Sequence, residues 1–140
     1  MTPSNDRGEL DAGSASLAGL NILIVEDSWH IASALKSLLR ALGADVAGPA
    51  ATTAEAEQII AAQAPDVAIV DFNLRGGELA DGLIDRLHAR GIRVIVISGY
   101  ASVPLRTDQV VVLQKPIVEA QLLAALQPMV QRKTSRRSTT

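Results

Sequence analysis

Ile22-Leu23-Ile24-Val25-Glu26-Asp27 is the stretch on which the reading of this chain turns. An unbroken aliphatic and β-branched run of this kind, with no polar residue at alternate positions, is the pattern of a strand buried on both faces. Glu26 and Asp27 end it abruptly. Downstream, Ile31, Leu35, Leu38, Leu39 and Leu42 recur at helical spacing until Gly43 supplies a stop. A strand followed by a helix is thereby predicted, and the rest of the chain repeats the unit.

A short segment near Asp45 to Gly48 comes next. Thr52-x-x-Glu55, with capping-box spacing, then opens an Ala-rich helix that Pro65 closes. Val67-Ala68-Ile69-Val70 is a third strand that delivers Asp71, and a glycine-containing loop leads to a helix carrying Leu83, Ile84 and Leu87 and ending at Gly91. Val94-Ile95-Val96-Ile97 ends at Ser98, and Val110-Val111-Val112-Leu113 ends near Lys115-Pro116. A last helix carries Val118, Leu122, Leu123, Leu126 and Met129. Strands separated by helices predict an α/β fold, a doubly wound parallel sheet of five strands with helices on both faces.

Bulk properties narrow the class. At 140 residues the chain has room for one domain. Residues 1 to about 19 are rich in Gly, Ser, Asp and Ala and read as a leader without fixed structure; the domain occupies 20–131, and 132–140 is a basic, Ser/Thr-rich tail. The absence of cysteine removes disulfides and thiolate chemistry. No apolar run approaches the roughly 20 residues of a membrane span. A soluble cytoplasmic protein is expected, without membrane contact, and a net charge of −2 gives no support to DNA binding.

In open parallel sheets, ligands gather outside the carboxyl ends of the strands, where strand order reverses. Glu26 and Asp27, Asp71, Ser98 and Lys115 all stand at such ends. Each is an ordinary residue alone: a strand-end aspartate is usually a loop solvator, Glu26-Asp27 could merely cap a helix, Ser98 could form a turn, and Lys115 could be a surface charge. Together they put three carboxylates, a hydroxyl and an ammonium in one crevice. Carboxylates so close repel unless a cation compensates. An oxygen-only ligand set suits a hard cation such as Mg²⁺, which leaves positions open for phosphate oxygens. Such an inventory suits phosphoryl transfer to Asp71, where positioning and charge neutralisation do most of the catalysis.

The ordered set Glu26-Asp27, Asp71-x-Asn73, Ser98-Gly99 and Lys115-Pro116 resembles the receiver domain of bacterial two-component response regulators over about residues 20 to 131. The resemblance implies a flavodoxin-like sheet of order 2-1-3-4-5. It also implies phosphorylation of Asp71 by a partner histidine kinase, a phosphotransfer protein or small phosphodonors. Mg²⁺ would be held by Asp27, Asp71 and the main-chain carbonyl of Asn73, with Glu26 acting through water. Ser98 would approach the phosphoryl group, Lys115 would complete the anion site, and a cis Lys115-Pro116 bond is allowed.

Three departures stand out. Leu74-Arg75-Gly76-Gly77-Glu78 replaces the usual proline-containing turn after Asp71. The stretch between Ser98 and Val110 leaves room only for a short or irregular fourth helix. Val112 occupies the place of the aromatic switch residue, with Tyr100 as a candidate substitute; Ser-Gly-Tyr is similar to a subgroup of single-domain regulators. The expectation is therefore a stand-alone phospho-acceptor that signals to an unidentified downstream protein, a switch and not an enzyme. A homodimer is left open. A pseudo-receiver that binds proteins without phosphate is the alternative; a phosphohydrolase is disfavoured because Asn73 stands where a second acid would be wanted. His30 and His88 are read as solvated, and Trp29 as partly buried packing.

Overall fold

The computed structural model describes residues 16–74, 80–99 and 110–139, with backbone alone from 132. Along the chain run β1 (Asn21–Val25), α1 (Trp29–Ala41), β2 (Asp45–Ala50), α2 (Thr53–Ala62), β3 (Val67–Asp71), α3 (Asp81–Ala89), β4 (Arg93–Ser98), β5 (Val110–Gln114) and α4 (Glu119–Thr139). The helix expected between β4 and β5, Tyr100, and Arg75 to Glu78 of the loop after Asp71 lie outside the described residues.

The five strands are parallel, in the order β2-β1-β3-β4-β5. The continuous apolar runs of β1, β3 and β4 are buried on both faces because they are the three inner strands. Leu23, Val25, Ala68, Val70, Val94 and Val96 pack toward Ala56 and Ile60 of α2 and Leu83, Ile84 and Leu87 of α3. Ile22, Ile24, Ile69, Ile95 and Ile97 point the other way, toward Leu35 and Leu39 of α1 and Leu122 and Leu126 of α4. Alternation of side chains along a strand thus supplies two apolar layers from one hydrophobic run.

Local signals fix the helix ends. Ser28 caps α1, its hydroxyl accepting from the Ile31 N–H at 3.5 Å. Thr52 accepts from the Glu55 N–H at 3.1 Å, and the Glu55 carboxylate accepts from the Ala51 N–H at 2.7 Å, so the capping box reaches back one residue further than the simplest form. Gly43 follows the end of α1 with φ of +101°, and an added Cβ would come within 3.2 Å of the Ala18 backbone. Both conditions favour glycine.

Two boundaries differ from the sequence reading. Packing begins at Leu17, inside the segment read as leader: its side chain is buried, and its N–H donates to the Leu42 carbonyl at 2.7 Å. An isolated leucine in a polar stretch has no periodicity, yet it fills the gap beneath α1 and α4. At the other end α4 continues past residue 131 to Thr139. Gln, Arg and Lys are good helix formers, and neither glycine nor proline interrupts 129–139.

Candidate functional site

Strand order sets the position of the site. The chain leaves β1 for β2 on one side and for β3 on the other, so a crevice opens above the carboxyl ends of β1 and β3. Glu26 and Asp27 follow β1 directly, and Asp71 is the last residue of β3. One carboxylate oxygen from each of the three lies within 4.8 Å of the others. Glu26 and Asp71 are buried at 4% and 3% exposure, and Asp27 is half-buried.

Few partners balance this charge. The Lys115 ammonium donates to Asp71 Oδ2 at 3.2 Å, and the Asn73 N–H donates to Asp71 Oδ1 at 3.2 Å. The Ser28 N–H donates to Glu26 Oε2 at 3.1 Å. Burial pushes the Glu26 carboxyl from its ordinary 4.5 up to about 7. The charge of Asp71 and a hydrogen bond with it add to the rise; the Ser28 N–H and the Lys115 charge oppose it. Protonation of Glu26 is how the cluster lowers its own repulsion with one lysine as compensation. A divalent cation would relieve the same repulsion, and the donor set, carboxylate and carbonyl oxygens only, fits Mg²⁺.

Backbone contacts hold the rim. The Lys115 N–H donates to the carbonyl of buried Ser98 at 2.7 Å, which sets the start of the segment after β5 relative to β4. The Lys115-Pro116 peptide bond is cis. Phe72 and Leu74 are buried, the Phe72 N–H donates to the Ile97 carbonyl, and the chain returns when the Ala80 N–H donates to the Phe72 carbonyl at 3.1 Å. The base of the loop after Asp71 is therefore anchored on both sides.

Glu26, Asp27, Asp71 and Lys115 converge as their strand-end positions require; the Asn73 N–H joins them, and Ser98 stands at the same edge of the sheet. Sequence reasoning missed the Ser28 N–H as a Glu26 ligand and the anchoring by Phe72 and Leu74. A serine followed three residues later by the first apolar position of a helix was the available signal for Ser28. Trp29 is corrected: it is 71% exposed, with the His30 ring set edge-on to it at 5.5 Å, because the first helical residue projects away from the sheet. His30 and His88 are exposed, as expected. Val112 is 39% exposed on the edge strand β5.

The family of response regulator receiver domains matches this chain over residues 22–127. This chain is a receiver domain. SdrG from Sphingomonas melonis Fr1 is 38% identical, with a TM-score of 0.65 over 76% of this chain and 95% of that one. The receiver domain of Erythrobacter litoralis PhyR is 26% identical, with a TM-score of 0.72 over 81% of this chain and 92% of that one. The PhyR stress response regulator is 29% identical with a TM-score of 0.69; the match covers 89% of this chain but only 50% of that protein. The receiver thus spans about half the length of the full PhyR structures it resembles. No curated protein matches it. Membership places the chain among the response regulators of two-component systems. Among the described residues no helix is long and apolar enough to cross a membrane.

Proposed function

We propose that this receiver accepts a phosphoryl group on Asp71 in a Mg²⁺-dependent reaction and passes the signal on through a change of its surface. The observation that carries this reading is the convergence of three carboxylate oxygens within 4.8 Å, with the Lys115 ammonium 3.2 Å from the buried Asp71. Asp27, Asp71, the main-chain carbonyl of Asn73 and, through water, Glu26 would hold the metal. When bound, Mg²⁺ supplies neutralisation of the phosphoryl oxygens. Asp71 attacks phosphorus, a P–N bond of a phosphohistidine or a P–O bond of a small acyl phosphate breaks, and an acyl phosphate forms on the carboxylate. The leaving group takes the bonding electron pair. Lys115 is the mobile partner, since its side chain remains 34% exposed, and its ammonium can follow the charge from Asp71 to the phosphoryl oxygens. Ser98 offers a hydroxyl to another of them. Water later attacks phosphorus, releasing inorganic phosphate and restoring the carboxylate.

A sensor kinase or phosphotransfer protein must approach closely, because Asp71 is almost wholly buried. A groove of about 760 Å³ between α1 and the segment after β5 leads from Ile31 and Leu38 to Lys115, with exposed Trp29 next to it in sequence. It gives such a donor an apolar rim. The lack of cysteine accords with work in the cytoplasm.

Incubation with a small phosphodonor and Mg²⁺ is expected to give acid-labile labelling that Asp71→Asn abolishes. Labelling that persists in the variant overturns the assignment. Exposed Val112, in place of an aromatic switch, favours a second reading as a protein-binding module that works without phosphate. Absence of labelling in the unaltered chain, with weak Mg²⁺ binding, would support that reading.

A further inference from the structure

Charge is unevenly divided along this receiver. Four of its 13 lysines and arginines are Arg132, Lys133, Arg136 and Arg137; the other nine face 15 acids, leaving −6 on the rest of the chain. Because α4 runs unbroken to Thr139, these four positions are in helical register. At 3.6 residues per turn, positions 132, 133, 136 and 137 share the sector of positions 122, 126 and 129, whose side chains bury α4 against the sheet. The face that is apolar along the domain becomes basic once the helix passes Met129. From there to Thr139 is ten residues, or roughly 15 Å of helix.

Local stabilisation does not account for this pattern. The helix dipole favours cations in the last turn, and positions 132 and 133 lie before it. No Asp or Glu follows Glu119, so none of the four has an acidic neighbour three or four residues away. The pairs 132/136 and 133/137 instead place like charges at the repelling i, i+4 spacing. An arrangement that opposes its own helix is relieved by anions brought from outside.

We propose that this basic helical end is a docking surface for an acidic segment of another protein. Duplex DNA carries charge along its whole length and would run over the −6 body, while four cations give weak, salt-sensitive binding at most. Anionic lipid lacks a foothold, since no apolar residue follows Val130. A short acidic helix or strand meets the stripe alone. The surface is independent of phosphorylation at Asp71, so Asp71→Asn is expected to leave it intact.

The test is fluorescence anisotropy of the full chain with a labelled Glu-rich peptide, at low salt and at about 0.15 M. Binding is expected to weaken with salt and to fall by roughly tenfold or more in the combined variant Arg132→Gln, Lys133→Gln, Arg136→Gln, Arg137→Gln. Circular dichroism of that variant is expected to show helix content unchanged or raised. A second variant keeps the net charge but spreads it around the helix: Arg136→Ser with Ser138→Arg, and Arg137→Thr with Thr134→Arg. A several-fold loss of affinity is expected there too. Absence of peptide binding overturns the proposal, as does undiminished binding by the redistributed variant. So does tighter binding to a DNA duplex or to phosphatidylserine vesicles, or self-association of the chain that the same substitutions abolish.

Discussion

The two ends of the sheet are built on opposite terms. At the amino end polar groups are matched locally: the Asp66 carboxylate accepts from the Asn21 N–H at 2.8 Å, the Asp66 N–H donates to the Asn21 carbonyl at 2.8 Å, and Leu17 closes the gap beneath α1. At the carboxyl end Glu26 and Asp71 are buried beside half-buried Asp27, and the Lys115 ammonium is paired with Asp71. One end stabilises the fold. The other holds charges in a state that a metal and a phosphoryl group would relieve, at the expense of stability without them.

Substitutions can break or sharpen this contrast. The largest effect on stability is expected at the amino end, where Leu17→Ala removes a fully buried side chain and lowers unfolding free energy by about 2–4 kcal/mol in urea titration, with Mg²⁺ affinity unchanged. If Leu17 were a loose leader residue, nothing would move.

At the carboxyl end the expected sign reverses. The Glu26 carboxyl keeps its proton up to about pH 7 in the folded chain but loses it near 4.5 once unfolded. Its contribution therefore favours the fold fully below about 4.5 and is lost as pH rises through about 7. Glu26→Gln should flatten that slope in thermal melts without metal and raise Tm by a few degrees at about pH 8. The same substitution should weaken Mg²⁺ binding, so added Mg²⁺ raises Tm less in the variant than in the unaltered chain. An unchanged slope would contradict the burial argument.

Lys115→Gln takes away the cation paired with Asp71 and is expected to lower stability by roughly 1 kcal/mol, a modest figure because the lysine is partly exposed. Added Mg²⁺ should recover part of that loss, which melting with and without metal would reveal. Smallest of all, Trp29→Phe should shift unfolding free energy by less than about 0.5 kcal/mol, as its exposure requires.

How much of this was legible in the sequence follows from where each residue lies. The inner strands were, because burial on both faces leaves a continuous apolar run, and their polar end residues named the site. β2 was harder: as an edge strand it needs no such run, and its Asp45–Ala50 segment holds Gly48 and Pro49. Leu17 and the outward Trp29 depend on tertiary neighbours that no local pattern encodes. The Lys36 ammonium bound to the Gly48 carbonyl at 3.0 Å, which ties α1 to the bend in β2, is invisible for the same reason. Within the site, strand-end position predicted the carboxylates and Lys115, whereas the backbone donors of Ser28 and Asn73 depend on turns whose geometry the side chains do not spell out.

The central claim is that Asp71, and no other acid of the cluster, takes the phosphoryl group. Borohydride reduction of the chain after exposure to a phosphodonor and Mg²⁺ converts an acyl phosphate to an alcohol, and mass spectrometry of the digested protein locates it. The account expects homoserine at position 71 alone. Reduction at Asp27 or Glu26, or a phosphoryl group that resists borohydride, would contradict it.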